Sequence, residues 1–187
     1  MSLKEQLAEY RAGWYQRVPA ERQAIMERHI EQLRGTIARA TLKVGDRAPA
    51  IVLTNAKGAT VDVGTLLKKG PVIVTFYRGG WCPYCNLELK AYQEILPQIV
   101  AAGASLVAIS PEKPDDTLST AEKNALTFEV LSTWGGRWDE PSASFINSPR
   151  SSKAPIGVSI WISRPATARR TNGRCLYRQL TSSIAMA

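Results

Sequence analysis

The segment FYRGGWCPYCNLEL, Phe76 to Leu89, carries Cys82 and Cys85 separated by two residues, between an apolar run and a helix-like pattern. If Pro83 sits in the first turn of a helix, the two sulfurs stand one turn apart and can join with little backbone movement. A helix N-terminus presents free N–H groups and a partial positive charge, which favours thiolate over thiol. Arg78 lies close in sequence and adds to that effect. Gly79 and Gly80 permit a sharp exit from the preceding strand. The segment therefore reads as a thiol redox centre at the carboxyl end of a strand, where α/β sheets place their chemistry. Zinc is a second use of this spacing, but it needs two more ligands. The chain offers only Cys175, His29 and scattered carboxylates, so no metal or other cofactor is expected. A third use, core filling, leaves the run Trp-Cys-Pro-Tyr-Cys unexplained.

Elements of definite order must position these thiols. Leu3, Leu7, Tyr10 and Trp14 recur at helical spacing and predict a helix over residues 3 to 17. A second helix opens at Pro19, with Ile25, Met26, Ile30, Leu33 and Ile37 as its apolar stripe and Gly35 weakening its end. His29 lies beside that stripe as an ordinary packed or half-exposed histidine. Residues 1 to 40 thus form a helical arm, expected to pack on the main domain or on a second copy. Short strands follow at Ile51 to Leu53 and Thr60 to Val63, joined through Asn55 to Gly58. Leu66 and Leu67 suit a helical turn closed by Gly70. The run PVIVTFY, Pro71 to Tyr77, reads as a strand buried on both faces. Beyond the cysteines a helix passes Pro97 and stops at Gly103. The run SLVAIS, Ser105 to Ser110, is the next strand; Pro111 and Pro114 cannot continue it. A helix over Thr117 to Asn124 and a strand over Thr127 to Leu131 complete an alternating α/β unit.

The chain of 187 residues suits one domain plus an arm, and its formal charge is +8. Residues 1 to 131 hold 16 Lys/Arg against 14 Asp/Glu, while residues 132 to 187 hold 8 against 2, so the basic excess lies in the tail. The excess has no helical or strand spacing, and no nucleic-acid partner is expected. No apolar run reaches the roughly 18 residues of a membrane span, and residues 1 to 10 lack an apolar signal core. A cytoplasmic, reducing location is expected, where a Cys-x-x-Cys pair is more often catalytic than structural.

The pieces VGDRAPAIVL, KKGPVIVTFYRGGWCPYCNLELKAYQEILPQI, GASLVAISPEKPDDTLSTAEKN and LTFEVLS resemble the peroxiredoxin-like branch of the alkyl hydroperoxide reductase and thiol-specific antioxidant (AhpC/TSA) family. The resemblance covers residues 44 to 131 and implies a three-layer, thioredoxin-like α/β fold. It implies reduction of hydrogen peroxide or organic hydroperoxides. The reductant would be thioredoxin, glutaredoxin or a small thiol, and a homodimer is a candidate assembly. The family motif's proline, threonine and peroxidatic cysteine fall on Arg78, Cys82 and Cys85. This favours Cys85 as the attacking sulfur and Cys82 as the resolving thiol. Thioredoxin logic points instead to the first cysteine, Cys82. Trp81 and Tyr84 are expected to form an apolar rim, and Glu88 to stand behind the sulfurs unless it is an ordinary surface glutamate. A thiol-disulfide oxidoreductase without peroxidase activity is the alternative, because WCPYC mimics thioredoxin.

After Leu131 the α/β rhythm stops. The family's segment Leu-Pro-x-Pro-Ala-Thr-Tyr-Val-Ile-Asp and a later peroxide-binding arginine do not appear cleanly. KAPIGVSIWI, Lys153 to Ile162, is the nearest candidate, with Pro155 before a strand over Ile156 to Ile162. CLYRQLTSSIAMA can be encoded by codons that, shifted by one base, spell Leu-Pro-Val-Pro-Ala-Thr-Tyr-Val-Ile-Asp-Arg-His-Gly. Residues from about Thr133 are therefore expected to be an out-of-frame tail, with Cys175 a stray thiol. A fold incomplete after residue 131, with a poorly ordered basic tail over 132 to 187 and weak activity, is the expected consequence. At the limit, the chain is a damaged, non-enzymatic relative.

Overall fold

The computed structural model describes residues 1–40, 48–134 and 161–163, with the backbone alone for 35–40 and 161–163. Helix α1 (Leu3–Arg17) starts at a capping box: Glu5 N–H donates to Ser2 Oγ at 3.3 Å, and Ser2 N–H donates to the Glu5 carboxylate at 2.7 Å. Its predicted stripe, Leu3, Leu7, Tyr10 and Trp14, is half-buried. Helix α2 (Ala20–Ala40) starts after Pro19, whose carbonyl accepts from the Arg22 and Gln23 N–H groups, and it runs through Gly35. The stripe expected on α2 is not a buried face: Ile25 and Met26 are 59% and 38% exposed. The two helices are tied where they meet, by Tyr15 Oη donating to Glu27 Oε1 at 2.5 Å and Gln23 Nε2 donating to the Val18 carbonyl at 2.6 Å.

The body begins with β1 (Val52–Asn55), β2 (Thr60–Asp62) and α3 (Val63–Leu67). Asn55 shapes the β1–β2 turn by accepting from the Lys57 and Ala59 N–H groups, and Gly58 takes the φ of 81° that the turn needs. Then come β3 (Val72–Phe76), α4 (Pro83–Ala101), β4 (Ser105–Ser110), α5 (Pro114–Lys123) and β5 (Glu129–Ser132). The sheet order is β2-β1-β5-β4-β3-β6, where β6 is Trp161–Ser163. Strands β3, β4 and β5 are parallel, as their βαβ crossovers require, and β1, β2 and β6 pair antiparallel.

Alternation along the strands sorts the core into two faces. Val72, Val74, Val107, Ile109 and Leu131 join Leu53 and Val63 on the α3 side. Ile73, Leu106, Ala108 and Val130 face the helices α4 and α5. Helix α4 buries Cys85, Leu89, Tyr92 and Ile99, a stripe at helical spacing. Leu89, 1% exposed, alone contributes about 2–3 kcal/mol by burial. The result is a thioredoxin-like α/β fold that presents the end of β3 and the start of α4 at one rim of the sheet.

Three expectations shift. Helix α5 starts at Pro114, not at Thr117, because a proline that cannot extend a strand fits the first position of a helix. β5 begins two residues later than expected, at Glu129. The late strand is described at Trp161–Ser163, one residue past the expected end, while 156–160 lie outside the described residues; it pairs with β3 through Val72↔Ser163, Ile73↔Ile162 and Val74↔Trp161. That edge of β3 is therefore paired. Among the described residues no strand pairs beyond β6 and no helix follows it. Pro155, Cys175 and the tail at 135–160 and 164–187 lie outside the described residues.

Candidate active site

The chain leaves β3 at Tyr77 and reaches α4 at Pro83 in six residues. Gly79 adopts φ 154°, and a Cβ there would run into Glu112 Oε1 and Trp81 Nε1. A Cβ on Gly80 would run into Thr120 Oγ1. The pair of glycines is thus required by close approach to Glu112 of the β4–α5 connection and to Thr120 of α5 as well as by the turn. Cys82 N–H donates to the Gly79 carbonyl at 3.0 Å, closing the turn so that Cys82 becomes the N-cap of α4 and Pro83 its first residue.

Both thiols are free and buried, with Cys82 2% and Cys85 6% exposed. Their electrostatics differ. Cys82 is lowered to about 6, first by hydrogen bonding from the Cys85 thiol, then by the amides of Cys85 and Tyr84 and the charge of Arg78. These outweigh burial, although its sulfur closes no capping bond of normal geometry. Cys85 is pushed up by donating to Cys82 and by burial, even though Arg78 N–H approaches its sulfur at 3.5 Å. Hydrogen bonding and charge thus lower Cys82 and raise Cys85, whereas the family motif points to Cys85.

The other predicted site residues gather around this pair. The Arg78 guanidinium stacks over the Trp81 ring at 4.5 Å, and its buried Nε has no partner among the protein groups. Trp81 is 61% exposed and forms an outer rim. Tyr84 is half-buried and meets Tyr10 of α1 edge-on, with ring centroids 4.9 Å apart. The helical arm therefore reaches the dithiol turn itself. Glu88 is half-buried, and it is raised to about 7 by burial and by the charge of Cys82. Among the described residues no group of three or more His, Cys, Asp or Glu is placed to hold a metal.

Sequence reasoning missed Asn86, Glu112, Thr120 and Asn124. Asn86 Nδ2 donates to the carbonyls of Gly80 at 2.8 Å and Cys82 at 3.0 Å, while its Oδ1 accepts from Asn124 Nδ2 at 2.8 Å. Glu112 Oε2 accepts from Gly80 N–H at 2.9 Å. Position alone could have flagged Glu112, which follows the carboxyl end of β4 beside the end of β3.

Comparison with known proteins agrees with this geometry. A putative peroxiredoxin of Mycobacterium tuberculosis is 33% identical over 102 residues, covering 50% of this chain and 64% of that protein. Peroxiredoxin Bcp of Escherichia coli is 32% identical over 91 residues, 49% of this chain and 58% of that one. The chain thus spans less than two thirds of the length of these curated relatives. Among solved structures, peroxidoxin BcpB of Mycobacterium tuberculosis superposes with a TM-score of 0.57 at 22% identity, over 65% of this chain and 79% of that chain. The thioredoxin domain of a Bacteroides vulgatus thiol-disulfide oxidoreductase gives 0.55 at 18% identity, over 77% and 99%. These superpositions establish a thioredoxin-like fold. Residues 44–137, half of the chain, match the AhpC/TSA family, and the chain is a member of that family.

Proposed function

We propose that the chain reduces hydroperoxides with the Cys82–Cys85 pair. The observation that carries this reading is the placement of two free, buried thiols one helical turn apart at the end of β3, with Cys82 as the N-cap of α4. The Cys82 thiolate attacks the terminal peroxide oxygen, the O–O bond breaks, and Cys82 becomes a sulfenic acid while an alkoxide or hydroxide leaves and takes a proton. The Arg78 guanidinium, with its unpartnered buried Nε, supplies a donor for the peroxide oxygens. Cys85 then attacks the sulfenic sulfur, and water leaves as the disulfide forms. Glu88, ionising near 7, takes the proton that Cys85 loses and returns it to the leaving hydroxide, which departs as that water. An external thiol reductant, a thioredoxin, glutaredoxin or small thiol, returns the pair to dithiol by exchange. Small hydroperoxides suit sulfurs this buried.

Hydroperoxide consumption coupled to thioredoxin or glutathione recycling tests the reading. Steady turnover that disappears in C82S supports it; no peroxide consumption by the reduced wild-type chain sinks it. A second reading, thiol-disulfide exchange without peroxide reduction, is favoured by the N-cap placement of Cys82 alone. Reduction of a protein disulfide with no sulfenic acid on peroxide treatment would select that reading.

A further inference from the structure

We propose that Asn86 and Glu112 are positioning residues that clamp the Gly80 peptide and so fix where the Cys82 sulfur sits on the N-terminus of α4. Gly80 is held at both ends of its backbone. Its N–H donates to Glu112 Oε2 at 2.9 Å and its carbonyl accepts from Asn86 Nδ2 at 2.8 Å. The same Asn86 amide also binds the Cys82 carbonyl, so one side chain spans the turn from Gly80 to Cys82.

Each jaw is anchored elsewhere. Asn124, 5% exposed, donates to Asn86 Oδ1 and so fixes which way the Asn86 amide faces. Asn124 Nδ2 donates also to the Thr120 carbonyl at 2.9 Å. Glu112 is held through its backbone: its N–H donates to Ser110 Oγ at 3.2 Å and its carbonyl accepts from Ser132 Oγ. Ser110 and Ser132 are 0% and 1% exposed, so this jaw is fixed to the ends of β4 and β5. Thr120 closes the floor, where Gly80 has no room for a Cβ.

Helix formation alone does not call for this arrangement. The Cys82 carbonyl already accepts the first bond of α4, from Asn86 N–H at 3.1 Å, without help from the Asn86 side chain. Glu112 is a half-buried carboxylate kept near a site that must hold an anion, and burial raises it. Desolvating a carboxylate there is costly, and it is offset first by the bond to Gly80 N–H and then by the Thr120 hydroxyl. The Gly80 bond governs the orientation of the peptide leading into the N-cap, on which the approach of the Tyr84 and Cys85 amides to Cys82 depends.

The inference rests on the proposed thiolate role of Cys82 but not on peroxide turnover, so its test uses neither peroxide nor reductant. In the full chain carrying C85S and C175S, Cys82 is titrated by thiolate ultraviolet absorbance and by iodoacetamide alkylation across pH. E112A and N86A are expected to move the titration up by about one unit and slow alkylation near its midpoint about fivefold. E112Q, which keeps an acceptor for Gly80 N–H, is expected to remain within about twofold of the parent. If N86A fails to fold, E112A against E112Q decides alone. The proposal is overturned if E112A titrates and alkylates like its parent while only its melting temperature falls. It is equally overturned if E112Q behaves like E112A.

Discussion

The N-cap of α4 and the first buried turn of that helix hold the same side chain in different surroundings. Cys82 faces amide hydrogens, the Arg78 charge and a neighbouring thiol that donates to it. Cys85 faces burial and a neighbour that accepts its hydrogen bond. Solvent access does not separate them, since they are 2% and 6% exposed. The difference is one of donors and charge. The family motif counts residues and points to Cys85; the helix terminus counts amides and points to Cys82.

The largest expected effect breaks this comparison directly. C82S should lower the rate of peroxide consumption about a thousandfold or more. C85S should keep a fast first attack and lose turnover, so that sulfenic acid accumulates and is trapped by dimedone. The reverse pattern would transfer the attacking role to Cys85.

Next in size is the turn that carries Cys82. Gly80→Ala forces a Cβ against Thr120 Oγ1, and overpacking of this kind costs about 1–3 kcal/mol. Chemical denaturation should show that loss, with Thr120→Ala recovering part of it in the double variant.

Arg78→Met removes a charge that favours the Cys82 anion. It should raise the Cys82 ionisation by about one unit and slow attack at pH 6 roughly fivefold. Unchanged attack at that pH would show that the amides and the Cys85 thiol suffice.

Glu88 sharpens the Cys85 side. Its folded-state ionisation, raised from 4.5 to about 7, means that the folded chain binds more protons than the unfolded chain between those values. The stability tied to its protonated form is therefore present below the unfolded value and is lost as pH rises through about 7. Glu88→Gln should gain about 1–2 kcal/mol relative to wild type at pH 8, after allowance for partial exposure, and nothing at pH 4. The same variant should flatten the pH dependence of disulfide formation near neutrality.

The smallest effect tests the arm. Tyr10→Ala removes the edge-on contact with Tyr84 and should cost about 0.5–1.5 kcal/mol while leaving the Cys82 titration where it was. A shifted titration would make α1 part of the electrostatics of the site.

Much of this framework was legible from residue order alone. SLVAIS reads as a strand buried on both faces because nothing in it needs solvent, and β4 occupies those residues, Ser105–Ser110. The dithiol turn was legible because glycine, proline and cysteine each have a local reason to be there. Pro114 was misread because proline both ends strands and begins helices, and local sequence does not choose between them. The bonds that Asn86, Glu112 and Asn124 make were illegible for a different reason. Their partners come from separate elements, 32 positions apart for Gly80 and Glu112 and 38 for Asn86 and Asn124, and no local pattern encodes such a meeting. Ile25 and Met26 show the opposite error: helical spacing predicted a buried stripe, but periodicity does not say whether a face has anything to cover it.

The most direct test of the ionisation difference is a pH titration of thiolate absorbance in the C85S and C82S variants, each also carrying C175S. The account predicts that Cys82, the thiol left in C85S, still ionises below an ordinary thiol because the helix amides and the Arg78 charge remain, and that Cys85, the thiol left in C82S, ionises above it because its burial remains. A low titration that survives in C82S and disappears in C85S would contradict it.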